Sequence, residues 1–443
     1  MSANPLQTIA QSPMRLQQYV VVALCCLINI SEGYDVVSMA YAAPVLSKDW
    51  GTPAEVIGLI FSAASVGLML GAFFLAPLAD RIGRRNVMLL ALAAITVSHL
   101  FSALADSVYV LAAMRFLMGL GLGTLVVSLN VMVSEYTSDR QRNMLLSVLH
   151  TGFTIGMMLG GLLAALVLEP FGWRAIFVFG TVMNVVLLAV LLLFLKESPT
   201  FLLNSQPRNA LTKINRIMTG LGHPPIDQLP PRPVKGKRGS TLAALLAPGQ
   251  RNINLLLWGA SVTYAIVGYF LLNWKPQVLV NAGLTPTQAG WSGILEGGLG
   301  MLGHLAMGVL TRNGGAARMT AIFFVMLGVC LVIFGNLQAG PVVLIGMSGM
   351  LKFFTVGAYT GVFLVAVALY PPATRTVGIG LVVGFGRLGA IIGPLLGGLL
   401  LGADIGRAST FAVFAAISAV PAITMILVSR LADRRPVASA VTA

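Results

Sequence analysis

Charge is what this sequence has least of. Only 9% of its 443 residues are Asp, Glu, Lys or Arg, against about 25% in an ordinary soluble domain. With 57% hydrophobic residues and a mean hydropathy of +0.88, that scarcity excludes a soluble globular fold. Cysteine is scarce too. Cys25, Cys26 and Cys330 each lie inside an apolar run, without metal-ligand spacing, so neither a disulfide framework nor a metal site is expected. Nucleotide-binding loops and nucleophile motifs are also missing, so the chain is expected to be no enzyme, to use no cofactor, and to draw energy from a gradient rather than from ATP. The formal charge of +14 does not point to nucleic acid, because the cations stand between hydrophobic segments instead of forming a basic stripe.

What the sequence has in abundance is apolar runs of about 18 residues or more, the length a membrane helix needs. Twelve are present: 18–46, 56–78, 87–105, 109–134, 144–168, 173–195, 252–280, 287–310, 317–337, 340–369, 376–401 and 409–430. They are too long and too evenly apolar for barrel strands, which alternate over about ten residues. The first run is too long for a signal-peptide core and has no evident cleavage site, so it is expected to remain as a span. An all-α membrane protein with the bilayer as its surroundings follows.

Cations set the expected orientation. With the N-terminus in the cytoplasm, the inside segments hold 21 of the 28 cations, while the outside loops hold only Lys48, Arg174 and Arg407. Both termini are therefore expected to be cytoplasmic, in a cell membrane. One long hydrophilic interval, rich in proline and cations ("HPPIDQLPPRPVKGKRGS"), divides the spans six and six. The expected organisation is an N-terminal segment 1–17, a six-helix bundle 18–195, a linker 196–251, a second bundle 252–430 and a tail 431–443. Two bundles on a tether suit a transporter that rocks about a central site, and no symmetry in the pattern demands more than a monomer.

Between the second and third spans stands "APLADRIGRR", with Asp80, Arg81, Gly83, Arg84 and Arg85. An acid that pairs with nearby cations and a glycine that permits a tight turn suit a cytoplasmic gate. The segment resembles the signature loop of the major facilitator superfamily, with Ala76 where a leading glycine is usual. The corresponding loop of the second half, "GVLTRNGGAAR", places Arg312 where an acid belongs, so the repeat is one of topology rather than chemistry. Span 4 opens "MRFLMGLGLGT"; Arg115, Gly119 and Gly123 share a helix face. Arg115 reads equally as a snorkelling anchor and as a coupling residue. Span 5 lacks the proline of the superfamily's exporters, which tilts the expectation toward uptake.

In the first span, "SEGYD" is similar to the acid-Gly-aromatic-Asp element of the aromatic acid:proton symporter family, whose first acid is commonly Asp where this chain has Glu32. The segments "SEYTSDRQR" with Glu135 and Arg142, "FGWRAIFVFG", "KESPTFLL" and "YPPATRTVGIGLVVGFGRLGAIIGPLLGG" extend the resemblance over nearly the whole chain. It implies the major facilitator fold and proton-coupled import of a benzoate- or hydroxybenzoate-type acid. A non-aromatic organic acid, an exporter of the same fold and a transporter-like sensor are the alternatives.

Glu32 and Asp35 are three residues apart on one helix face, and Asn29 continues the polar stripe. Two carboxyls so close in a low dielectric resist joint ionisation, which makes one of them a proton carrier. Asp35 is the stronger candidate, with Glu32 as a tuning or fixed partner. Arg387 is the first choice for the substrate carboxylate, since its planar fork matches two oxygens, and the resemblance implies an arginine there too. Lys352 is the alternative holder of the carboxylate, or else the ion-pair partner of Glu296. Tyr264, Tyr269 and Trp274 in span 7 and Phe353, Phe354 and Tyr359 in span 10 offer flat surfaces for a ring, although aromatics at helical spacing usually serve packing. His150 and His304 titrate near neutrality but read first as hydrogen-bonded helix residues.

Overall fold

The computed structural model describes residues 5–232, 245, 251–370 and 372–433. The linker cations Lys235, Lys237 and Arg238 and the tail cations Arg434 and Arg435 lie outside the described residues. Among the described residues all regular structure is helical, and twelve helices are long and apolar enough to cross a membrane. Each expected span coincides with one of them to within a few residues.

The described residues fall into two compact units, one built from residues up to Asp49 and from Ala63 to 232, the other from Trp50–Ser62, 245 and 251–433. The division passes through the second membrane helix. From the N-terminus come a short helix α1 (Pro5–Gln11), α2 (Leu16–Trp50) and α3 (Ala54–Leu70), whose residues up to Ser62 belong to the second unit. The chain stays helical through a π turn and a 3-10 turn to α4 (Ala79–Ile82), which completes that span. Next come α5 (Arg84–Ala103), α6 (Val108–Tyr136), α7 (Arg142–Phe171) and α8 (Arg174–Phe194), then two short helices, α9 (Pro199–Ser205) and α10 (Ala210–Gly220). The second unit holds α11 (Arg251–Asn281), α12 (Pro286–Gly314), α13 (Ala316–Asn336), α14 (Pro341–Leu369), α15 (Pro372–Gly402) and α16 (Gly406–Asp433).

Local chemistry sets several boundaries. Thr285 and Gln288 exchange side-chain and backbone hydrogen bonds of 3.0 and 3.2 Å, a capping box that starts α12. Gly83, at φ 101°, makes the sharp turn from α4 into α5, a conformation that other residues resist.

Backbones approach closely where small residues allow it. In the first unit, side chains at Gly33 and Gly156 would collide with the carbonyls of Phe153 and Ile30, so α2 and α7 meet there; Gly119 and Gly123 likewise bring α6 onto the carbonyls of Ala64 and Leu68 in α3. Helix α5 packs on α8. The second unit repeats the scheme: Gly389 and Gly393 seat α15 on α11, Gly303 seats α12 on α14, and α13 packs on α16. The repeat expected as topology is thus a repeat of helix pairings.

The interval expected as a plain linker is partly folded. Phe201, Leu202, Ile214, Ile217 and Met218, together with Ile9 of α1, are buried in the same apolar core as Leu129, Met132 and Tyr136 of α6. Helices α9 and α10 are amphipathic and close one end of the first unit, because their apolar faces have nowhere else to be hidden from water.

Candidate functional site

Within the first unit the polar groups of α2 are buried, and each takes a separate partner. Asn29 donates to Glu32 at 2.6 Å. Asp35 instead faces His99 of α5, with Oδ1 2.7 Å from Nε2 and both side chains at 1% exposure or less. Asn184 of α8 donates to the same carboxylate at 3.4 Å, and Ser31 Oγ lies 2.5 Å from the Asn184 carbonyl. The expected mutual pressure between the two carboxyls is therefore not the organising contact; the imidazole is.

Arg115 is fully buried, which overturns the snorkelling reading. Its guanidinium donates to Ser38 at 3.3 Å and Ser102 at 3.0 Å and lies 4.7 Å from the centre of the Phe177 ring. Its charge acts on Asp35, Tyr34 and His99. A buried cation of this kind is held by satisfying its donors and by a nearby anion.

In the second unit Arg387 projects from α15 and donates to the Tyr269 hydroxyl at 3.1 Å. Among the described residues no carboxylate pairs with it. Tyr264 and Tyr359 stack with ring centres 5.4 Å apart and planes 22° apart. Arg387 and Tyr269 both act electrostatically on Tyr359, so the four side chains make one cluster. Tyr359 is 40% exposed. The other ring candidates serve packing: Trp274 is buried and donates to the Pro394 carbonyl at 2.8 Å, while Phe353 and Phe354 pack against Phe323.

Glu296 does not take Lys352 as its close ion-pair partner. Lys275 of α11 reaches it at 2.7 Å, with side-chain exposures of 4% and 13%, and the hydroxyl of Ser348 donates to the same carboxylate. Lys352 packs its stem over Gly300 on α12, near enough to feel both charges.

The gate motif assembles as expected and gathers more residues than its own loop. Asp80 pairs with Arg84 at 3.2 Å, and Arg84 pairs with Glu135 of α6 at 3.0 Å. Glu135 also accepts from Ser198, while Glu197 accepts the backbone N–H groups of Arg85 and Ser198 at 2.9 Å. Arg85 caps the end of α8 through the carbonyls of Leu192 and Leu195. Arg142 pairs with Asp139 at 2.7 Å; Arg81 is exposed. The "DRIGRR", "SEYTSDRQR" and "KESP" segments are thus one charged cluster. In the second unit neither Arg312 nor Arg318 makes an ion pair among the described residues, as the missing acid implied.

Sequence reasoning missed His99, Asn184 and the role of Lys275. His99 stands in "ITVSHLFS", where nothing distinguishes it from the other membrane-depth histidines. His150 is exposed, and His304, also exposed, bonds Thr360 at 2.5 Å.

Comparison with known proteins follows the same lines. The profile of the Major Facilitator Superfamily matches residues 25–367. A gallate transporter of Pseudomonas putida is 31% identical over 90% of this chain and 89% of its own length. The 4-hydroxybenzoate transporter PcaK of Pseudomonas putida is 31% identical over 89% of this chain and 88% of its own. Among solved structures, a bacterial homologue of the human lysosomal transporter Spinster superposes with a TM-score of 0.74 at 16% identity, covering 96% of this chain and 100% of that one; at that identity the likeness is one of fold.

Proposed function

This chain belongs to the major facilitator superfamily, in its aromatic acid:proton symporter family, and from that premise we propose that it imports a benzoate- or hydroxybenzoate-type carboxylate together with protons by alternating access. It is a multi-pass membrane transporter and not an enzyme. In this reading it works as a monomer in the inner membrane with both termini cytoplasmic.

The observation that carries the proposal is the cluster of Arg387 with Tyr264, Tyr269 and Tyr359. A guanidinium without a carboxylate partner takes the acid group in two parallel hydrogen bonds. The tyrosines supply a ring surface and hydroxyls for a ring substituent, which a purely aliphatic acid has no use for. Asp35 carries the proton, Arg115 supplies its counter-charge, and Glu32, bonded to Asn29, tunes the site. The relatives named above, a gallate and a 4-hydroxybenzoate transporter, support a hydroxylated aromatic acid as substrate.

The test is uptake of radiolabelled 4-hydroxybenzoate into proteoliposomes with an imposed pH gradient, acid outside. Accumulation is expected, with competition by hydroxybenzoates and not by aliphatic diacids. Asp35→Asn is expected to abolish accumulation while sparing exchange. Accumulation that responds only to diacids, or only with the gradient inverted, refutes the substrate class or the direction respectively.

A further inference from the structure

Asp35 has a neighbour that the proton-symport reading leaves without a task. His99 is fully buried, and its Nε2 lies 2.7 Å from Asp35 Oδ1. Its other nitrogen, Nδ1, is buried and has no hydrogen-bond partner among the described residues. That nitrogen is pressed against the backbone of α8 at Gly180, where an added Cβ would stand 2.7 Å from it. The final glycine of "FGWRAIFVFG" therefore makes room for an imidazole. Ring faces of Tyr34 and Phe177 flank it at 6.2 and 5.9 Å, so three sides of the ring are apolar or backbone.

The groups that face the pair come from four helices. From α2 come Asp35, Ser31 and Tyr34, whose hydroxyl donates to the Ile176 carbonyl at 2.5 Å, with Glu32 on the neighbouring turn. From α6 comes Arg115, from α8 Asn184, and from α5 His99 itself. Glu32 bonds Asn29 at 2.6 Å, on the turn before Asp35.

Asp35 thus has a second proton-binding group in direct contact, the imidazole at 2.7 Å. A neutral imidazole can take up a proton at its free ring nitrogen without first giving up a negative charge. An ionised Asp35 also dictates the tautomer: Nε2 must carry the hydrogen it donates, which leaves Nδ1 as a bare acceptor.

We propose that His99 is the second half of the proton site, so that the transported proton is held by the Asp35–His99 pair, with the imidazole accepting it from water and Asp35 supplying the adjacent negative charge. The N–H bond forms as an O–H bond of hydronium breaks, and on the other side the N–H bond breaks as the proton returns to water. As symport requires, proton and anionic substrate are linked, each raising the affinity for the other.

This inference rests on the proton-symport reading, and the test separates the two. Substrate-induced proton uptake is followed with a pH-sensitive dye after 4-hydroxybenzoate is added to weakly buffered purified protein. Counterflow and gradient-driven accumulation are measured in proteoliposomes. His99→Gln keeps a donor toward Asp35 but does not titrate. It is expected to retain counterflow within about threefold, to lose accumulation by about tenfold or more, and to flatten the pH dependence of substrate affinity.

Should His99→Gln fail to fold, Gly180→Ala keeps both titratable groups and presses a methyl on Nδ1. It is expected to displace the acid limb of that pH profile. Wild-type proton uptake and an unaltered profile in either variant, with accumulation lost only in Asp35→Asn, overturn the role of His99. If the wild type accumulates substrate without taking up protons, the symport reading itself falls and this proposal with it.

Discussion

Removing Glu296 alone is expected to damage the protein more than removing Glu296 and Lys275 together. Their atoms are 2.7 Å apart with side chains at 13% and 4% exposure, at membrane depth on α12 and α11. The Ser348 hydroxyl and, at 3.4 Å, that of Ser292 occupy the remaining acceptor sites, and Lys275 also donates to the Ser348 carbonyl at 3.3 Å. Glu296→Gln keeps the volume and leaves the ammonium buried without its counter-charge. Breaking a buried pair in this way costs about 3–5 kcal/mol, whereas replacing both partners by apolar side chains of similar volume is often neutral. The nearby Lys352 makes the single variant worse, since two cations then share the space. The assay is thermal unfolding in detergent of E296Q, K275M and the double variant K275M/E296M. A large drop in each single variant and recovery in the double is expected, a strongly non-additive cycle. Single variants as stable as the wild type, or a double variant whose loss equals the sum of the two, refute the claim that the pair is held by mutual neutralisation in a low dielectric.

Three further outcomes follow from other contacts. Arg387→Lys keeps the charge but loses the fork, and should weaken binding of 4-hydroxybenzoate by about tenfold, or about 1.4 kcal/mol, while leaving the uncharged benzyl alcohol analogue unaffected in competition assays. Gly123→Val places two methyl groups on the Leu68 carbonyl where α6 meets α3, and is expected to cost about 1–3 kcal/mol or more, visible as lowered expression and melting temperature. In the gate cluster, Asp80 is 73% exposed and Glu135 only 9%, although both bind Arg84. Asp80→Asn should therefore change thermal stability by less than about 1 kcal/mol, and Glu135→Gln by more; the reverse order in a melting assay contradicts this ranking.

The distance between what reads from sequence and what does not is clear at individual residues. Asp35 stood out because a carboxylate inside a span is costly wherever the chain folds. His99, its partner 64 residues away, did not, since a histidine in an apolar helix has many unremarkable explanations and only the packing of α2 against α5 selects one. Arg115 was undecided between lipid edge and interior for the same reason: helical phase shows which residues share a face, not which neighbour that face meets. For Glu296 the sequence offers Lys352, in mid-span, as one possible partner, whereas Lys275, nearer a helix end, is the lysine found 2.7 Å from it. Arg387 and the three tyrosines, read from sequence as separate candidates on spans 7, 10 and 11, lie together in the second unit.

By itself the sequence determined twelve membrane helices and the family. Each of these follows from local composition, since a segment in lipid must satisfy its own backbone and thereby declares its length and ends. Only the tertiary structure decided which buried charges face each other: Asp35 with His99, Glu296 with Lys275, Arg84 with Glu135. It also decided that residues 199–220 fold onto the first unit rather than serving as bare tether. The physical reason is range. Helix formation in a membrane is settled within one segment, whereas an ion pair depends on the rotation and depth of two helices, which glycine contacts such as Gly33 with Gly156 set across the bundle.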